Sequence, residues 1–300
     1  MTFSPARDIP DLTAKTVLVT RDTSGIGKAT VLSFAIHSPA PIYSTGRNAR
    51  AGPQILEELH IISPGTSAIF IQCDLIGPRQ SIWQAFATNF TSTQLDVFVA
   101  NAGIMAVLAA LTNEGFEIQF GANYVALLKA TSQGNGPARI VVVSSFGHTM
   151  APPSDIEFDK LKTSDAGTTW QRYGQSKLAD IFLTKSMAKR FPQITSPSVH
   201  PGFARIKLSV QTKFLPLKML FSLLKYTPLY KTAEAGAYNT LWAATVPKDK
   251  VENGSYHEPV GKVPLSTPNG SLGMSKIVSD EMLADRLWDW TEKELEDVAQ

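Results

Sequence analysis

The run Lys15-Thr-Val-Leu-Val-Thr20 is followed by Arg21-Asp-Thr-Ser-Gly25-Ile-Gly27, and then by Ala29, Val31, Leu32 and Ala35 at helical spacing. The order is strand, glycine turn, helix. Such a turn gathers backbone N–H groups and a helix N-terminus at one point, where they can hold a pyrophosphate. Gly25 would allow close backbone approach, and Gly27 close packing of the helix on its strand. An ordinary strand-to-helix turn can carry the same two glycines, so the rest of the chain has to decide between the two readings.

Further apolar runs recur along the chain. Leu95-Asp-Val-Phe-Val-Ala100 ends in the small turn Asn101-Ala-Gly103, and Arg139-Ile-Val-Val-Val143 ends in Ser144-Ser145. Strands are expected near 15–20, 40–45, 68–73, 95–100, 139–144 and 197–200, with another at Gly254-Ser-Tyr-His257. Helical stretches separate them. This alternation predicts an α/β fold: a Rossmann-type, doubly wound parallel sheet of about seven strands with helices on both faces. In such sheets ligands bind beyond the carboxyl ends of the strands, and the candidate residues fall at those ends.

No Ser/Gly linker, repeat or low-complexity block divides the 300 residues, so residues 1–300 read as a single domain. The last helix is expected at about 280–298. A formal charge of +2 without a basic, aromatic-laced stripe argues against nucleic acid. The one cysteine, Cys73, excludes an intrachain disulfide and points to a reducing compartment. It closes an apolar run and reads as a core residue. Arg7, Asp8 and Asp11 break any secretory core, and no apolar stretch reaches membrane-spanning length, so an intracellular, cytoplasmic protein is expected. The five histidines lack ligand spacing, which argues against a metal site. There is no Gly-x-Ser-x-Gly elbow to supply a hydrolase nucleophile.

Tyr173 and Lys177, in Arg172-Tyr-Gly-Gln-Ser-Lys-Leu-Ala-Asp180, stand four apart, which on a helix stacks a phenol beside an ammonium. A free phenol ionises near pH 10, so base catalysis near pH 7 asks for about 4 kcal/mol of preferential stabilisation of the phenolate. A neighbouring cation acts in that direction.

Taken together, Tyr173/Lys177, Asn101-Ala-Gly103, Ser145 and His200-Pro-Gly202 resemble the short-chain dehydrogenase/reductase family over roughly Leu12 to Val260. Gly115-Phe-Glu-Ile-Gln-Phe120 and Tyr173-Gly-Gln-Ser-Lys-Leu-Ala179 are similar to its retinol-dehydrogenase-like branch, as found in filamentous fungi. The resemblance implies four catalytic positions. Tyr173 would be the general acid/base, and Lys177 would favour its phenolate and bond the nicotinamide ribose. Ser145, rather than Ser144, would orient the substrate oxygen. Asn123 would hold a relay water. Cofactor contacts would come from Thr20, Arg21, Ser24, Gly25, Ile26 and Gly27, from Arg47, Asp74 and Leu75, from Asn101, Ala102 and Gly103, and from Pro201 and Gly202. Arg47 ends the second strand where an acid would repel a 2′-phosphate, so NADP (NADPH) is expected over NAD.

Three departures from the family pattern stand out. Arg21 occupies a position where the family has glycine. Residues 124–144, 21 of them, separate Asn123 from Ser145, about ten fewer than usual, or about 15 Å of helix. A helix from about Asn113 to Gln133 would still make the crossover. The shortening affects a helix that many relatives use to dimerise, which leaves a homodimer open. Ile206 replaces a threonine that contacts the carboxamide.

Residues 203–232 would form a substrate lid, apolar and cationic, with Lys207, Lys213, Lys218, Lys225 and Lys231 among aromatic and aliphatic residues and no acid. A lipophilic small-molecule alcohol or carbonyl compound fits that composition, as does contact with a membrane surface. An amphipathic helix pair packed on the core would also fit. The resemblance therefore implies an NADP-dependent oxidoreductase, in fungal secondary metabolism by analogy. A catalytically impaired relative serving as a binding or scaffold protein is the alternative.

Overall fold

A computed structural model describes residues 3–77, 79–131, 139–152, 156–165, 167–204, 231–264 and 276–298. Its centre is a seven-stranded sheet of order β3-β2-β1-β4-β5-β6-β7. The strands are β1 (Val17–Val19), β2 (Ile42–Gly46), β3 (Ala68–Gln72), β4 (Val97–Ala100), β5 (Arg139–Val143), β6 (Ser198–Val199) and β7 (Tyr256–His257). All the pairings are parallel. Every strand expected from the sequence is present.

The strands are apolar on both sides because both sides of the sheet are covered. Leu18, Tyr43, Phe98 and Ile140 face one core. Val17, Val19, Ile42, Val99 and Val141 face the other. This two-residue alternation turns one buried run into two packed layers. The chain order reverses between β1 and β4, which opens a crevice at their carboxyl ends.

The helices that place the site are α1 (Gly25–Ala35) after β1, α2 (Thr169–Arg190) before β6, α3 (Ala233–Thr245) and α4 (Glu281–Val298). The long α2 starts at a capping box, with the Thr168 hydroxyl accepting from Gln171 N and the Gln171 side chain accepting from Thr168 N. The helix α4 buries Leu283, Leu287, Trp288 and Leu295. Its opposite charges meet α2 through Asp285, which pairs with Lys189 and Arg190.

The crossover before β5 differs from expectation. The helix expected from Asn113 starts instead at Ile118, because Glu117 accepts from the backbone of Gln119 and Phe120 and fixes the N-terminus there. Residues 111–117 close a tight turn, bridged at Leu111 and Glu117, in which Gly115 has φ +81°. Helix then gives way to a π-helical turn at Gly121–Val125 before resuming at Ala126–Thr131. The remainder of that crossover lies outside the described residues.

Candidate active site

The half of the candidate site around the glycine turn is built from backbone. Gly25 has φ +62°, a region a side chain disfavours, and it begins α1 directly after Ser24. Ser24 makes no side-chain capping bond, so the first amides of α1 are available to an anion. Gly27 is required by packing, because a Cβ there would lie 2.4 Å from Asn101 Nδ2 and 2.6 Å from Arg21 O. Ile26 is buried beside it. The turns after β1 and β4 are stitched together. Thr20 Oγ1 accepts from Asn101 N and Ala102 N at 3.0 and 2.9 Å, and Asn101 Nδ2 donates to the carbonyls of Thr20 and Arg21. Asp74 Oδ1 accepts from Ile76 N and so orders the loop after β3 that includes Leu75. Pro201 and Gly202 follow β6, with Gly202 at φ +79°.

Arg21 has φ +53°, in the left-handed region that glycine tolerates best. Its backbone amide donates to Thr45 Oγ1. Its side chain is partly buried, which together with the nearby Arg47 depresses the guanidinium's proton affinity. Arg21 and the exposed Arg47 follow the carboxyl ends of β1 and β2, and the Arg21 guanidinium feels the charge of Arg47.

The catalytic half hangs on α2. Tyr173 and Lys177 are both buried, 7% and 5% exposed. Lys177 Nζ donates to Val143 O at 2.9 Å and to Asp180 Oδ2 at 2.8 Å. Gly174 lets α2 press on the short 3-10 turn Phe146–Met150, since a Cβ there would lie 2.4 Å from Ala151 N. Ser145 caps that turn, accepting from Gly147 N at 2.9 Å. The two serines diverge. Ser144 turns inward to the carbonyl of Lys177 at 2.8 Å, whereas Ser145 is half-buried beside Gly147 and the Tyr173 ring.

Asn123 sits in the π-helical turn. Its Oδ1 accepts from Ile104 N at 2.7 Å, and its Nδ2 donates to Ile104 O and to Ser176 Oγ. A Cβ on Gly103 would lie 3.2 Å from Asn123 Oδ1 and 3.4 Å from Lys177 Nζ, so the Asn101-Ala-Gly103 turn reaches both side chains. The π-helical turn carries Asn123 toward Ile104 and Ser176.

Several contributing residues were not singled out from the sequence. Ser176 links Asn123 to the backbone of Tyr173, and Gly147 makes room for the phenol. Asp180, one turn beyond Lys177, pairs with it, and this three-residue spacing was readable as a helical ion pair. Glu117 and Arg172 form a second buried pair, 3.1 Å apart, at the start of α2. His200 Nδ1 accepts from Phe146 N, and burial pushes the His200 imidazole down to about 4. Ile206 and most of the expected lid, 205–230, lie outside the described residues. The ends of that segment are joined by Lys231 N donating to Phe203 O.

A Rossmann-type sheet whose carboxyl edge gathers a glycine turn, a Tyr/Lys pair, a serine and an asparagine defines a short-chain oxidoreductase. The chain belongs to the short-chain dehydrogenase/reductase family: residues 15–155 match the short chain dehydrogenase family model, and full-length relatives agree. It is 32% identical to the short-chain dehydrogenase/reductase drtF of Aspergillus calidoustus, over 96% of this chain and 95% of that protein. Retinol dehydrogenase 14 of Homo sapiens is 31% identical, over 93% and 85%. A solved structure of an uncharacterised protein from Mycobacterium Paratuberculosis superposes with TM-score 0.75 at 25% identity, covering 99% of this chain and 98% of that one. Among the described residues, no helix is long and apolar enough to cross a membrane, and no cluster of side chains has metal-ligating geometry.

Proposed function

We propose that the protein is an NADP-dependent oxidoreductase that interconverts a lipophilic alcohol and its ketone or aldehyde. The observation that carries the reading is a chain of close approaches: Gly103 lies beside Asn123 Oδ1 and Lys177 Nζ, Ser176 joins Asn123 to the backbone of Tyr173, and Gly147 lies against both the Tyr173 ring and Ser145 Oγ. When bound, the nicotinamide supplies or accepts the hydride. Tyr173 then gives a proton to the carbonyl oxygen in reduction, or takes one from the alcohol in oxidation. Ser145 Oγ holds that oxygen beside the phenol. The charge of Lys177 favours phenolate over phenol, and Asn123 keeps the loop at Ile104 and the helix at Ser176 in register.

Arg21 and Arg47 support NADP, because guanidinium groups following the ends of β1 and β2 favour a 2′-phosphate that an acid there would repel. The apolar and cationic composition of residues 203–232 supports a lipophilic substrate, and likeness to a retinol dehydrogenase points the same way. Contact with a membrane surface and a place in fungal secondary metabolism belong to the same proposal. Arg21 also favours a second reading, an impaired relative that serves as a binding protein, since it puts a side chain in strained backbone where the family has glycine.

A titration with NADPH and NADH, followed by nicotinamide fluorescence, tests the proposal. Tight NADPH and weak NADH binding is expected. Tyr173→Phe should then keep that binding and lose turnover by about 10²- to 10⁴-fold. A folded sample that binds neither nucleotide, or a Tyr173→Phe variant with full turnover, would overturn it.

A further inference from the structure

An ammonium has three N–H donors. Two of those on Lys177 are committed within the protein, to Val143 O and to Asp180 Oδ2. Asp180 is 1% exposed, and its Oδ1 has no hydrogen-bond partner among the described residues. Burial pushes its carboxyl up to about 6, while Lys177 pulls in the opposite direction. A buried carboxylate with one bare oxygen is costly, and an asparagine of the same shape would avoid the charge. Helix stability alone does not account for an acid at this position.

We infer that Asp180 is a positioning residue for Lys177. It takes one ammonium donor, holds the amine against the end of β5, and partly neutralises the positive charge that Tyr173 faces. One N–H is left for the active site. The inference rests on reading Tyr173 and Lys177 as the catalytic pair. Among the described residues, the ionisable groups on the elements packed around the pair are two tyrosines, Tyr124 and Tyr256, with Glu258 acting on Tyr256, and the buried His148 and His200 at the turn after β5, whose imidazoles burial pushes down. Tyr124, in the π-helical turn, interacts electrostatically with Asp180 and, more weakly, with Glu292 and Arg190. Tyr256, on β7, interacts with Tyr173. Burial raises both of these phenols.

The test needs no turnover. Ultraviolet titration of phenolate is carried out on the parent and on Asp180→Asn, each with and without Tyr173→Phe. The difference within each pair isolates Tyr173 from the other six tyrosines of the seven in the chain. Asparagine keeps an acceptor for Lys177 and removes the negative charge, so the Tyr173-dependent midpoint should fall by about one pH unit. An unchanged or higher midpoint in a folded Asp180→Asn protein overturns the inference. Should that variant fail to fold, Asp180→Ser, smaller and also neutral, carries the same expectation. A parent protein without any Tyr173-dependent phase would overturn the catalytic pairing itself and the inference with it. Were Asp180 purely structural, Asp180→Asn would change the unfolding temperature and leave the midpoint where it was, which overturns the inference.

Discussion

Gly147 lies directly against Tyr173: a Cβ on residue 147 would sit 2.5 Å from Cε1 of the phenol and 3.2 Å from Ser145 Oγ. No side chain fits between the turn that carries the serine and the helix that carries the tyrosine. The geometry of the site is set by this absence of volume.

Gly147→Ala should therefore shift the Tyr173 ring relative to Ser145. Misplacing a reacting group by about 1 Å costs on the order of 10² in rate. A drop in kcat of that size is expected, with NADPH affinity nearly unchanged, because the cofactor turn is elsewhere. Steady-state kinetics paired with a fluorescence titration checks it, and full activity would show that the ring has room to spare.

Arg21→Gly should act in two opposite directions. Removing a side chain from φ +53° relieves about 1 kcal/mol of backbone strain, so unfolding should require more denaturant. Losing a guanidinium from the phosphate corner should weaken NADPH by about tenfold, since a charged hydrogen bond contributes about 1.5 kcal/mol or more, and leave NADH unaffected. A rise in NADPH affinity would instead identify Arg21 as damage to the site.

Asp22 predicts a pH dependence of stability. It is fully buried, accepts from Ser44 Oγ at 2.6 Å, and its other oxygen has no partner among the described residues. Burial pushes its carboxyl up to about 8. The folded state then keeps a proton that the unfolded state loses near pH 4, so this group's contribution to stability declines as pH rises from about 4 to about 8. Each unit of that interval is worth about 1.4 kcal/mol at most. Asp22→Asn stays neutral, and its unfolding temperature should exceed the parent's by more at pH 8 than at pH 5. An equal difference at both would show that Asp22 is already ionised in the fold.

Cys73 is buried at the end of β3, and burial pushes its thiol up to about 11. Alkylating reagents should label it only on unfolding, with no loss of activity from the folded protein. Rapid labelling of the native protein, followed by mass spectrometry, would contradict this.

Much of the sheet was legible because each strand is a short apolar run of characteristic length bounded by a turn. The turn between β1 and α1 was legible because backbone needs, at Gly25 and Gly27, select a residue type that stands out in a sequence. Tyr173 and Lys177 could be paired from their spacing because α2 is regular between them. The crossover start was misplaced, by contrast, because Glu117 caps a helix whose preceding residues also have acceptable helical composition. Its cap bonds depend on where the loop at 111–117 closes.

The sequence by itself determined the α/β alternation, the strand-end placement of the candidate residues and the Tyr173/Lys177 pair, since each depends on local period or on a residue type. Only the tertiary structure decided that Ser144 bonds the carbonyl of Lys177 while Ser145 caps the turn at Gly147, that Asn123 lies in a π-helical turn bonded to Ile104 and Ser176, and that Asp180 and Val143 share the ammonium of Lys177. Those features depend on contacts between residues far apart in the chain, or on which way a side chain turns once both faces of the sheet are covered. Local spacing does not encode them.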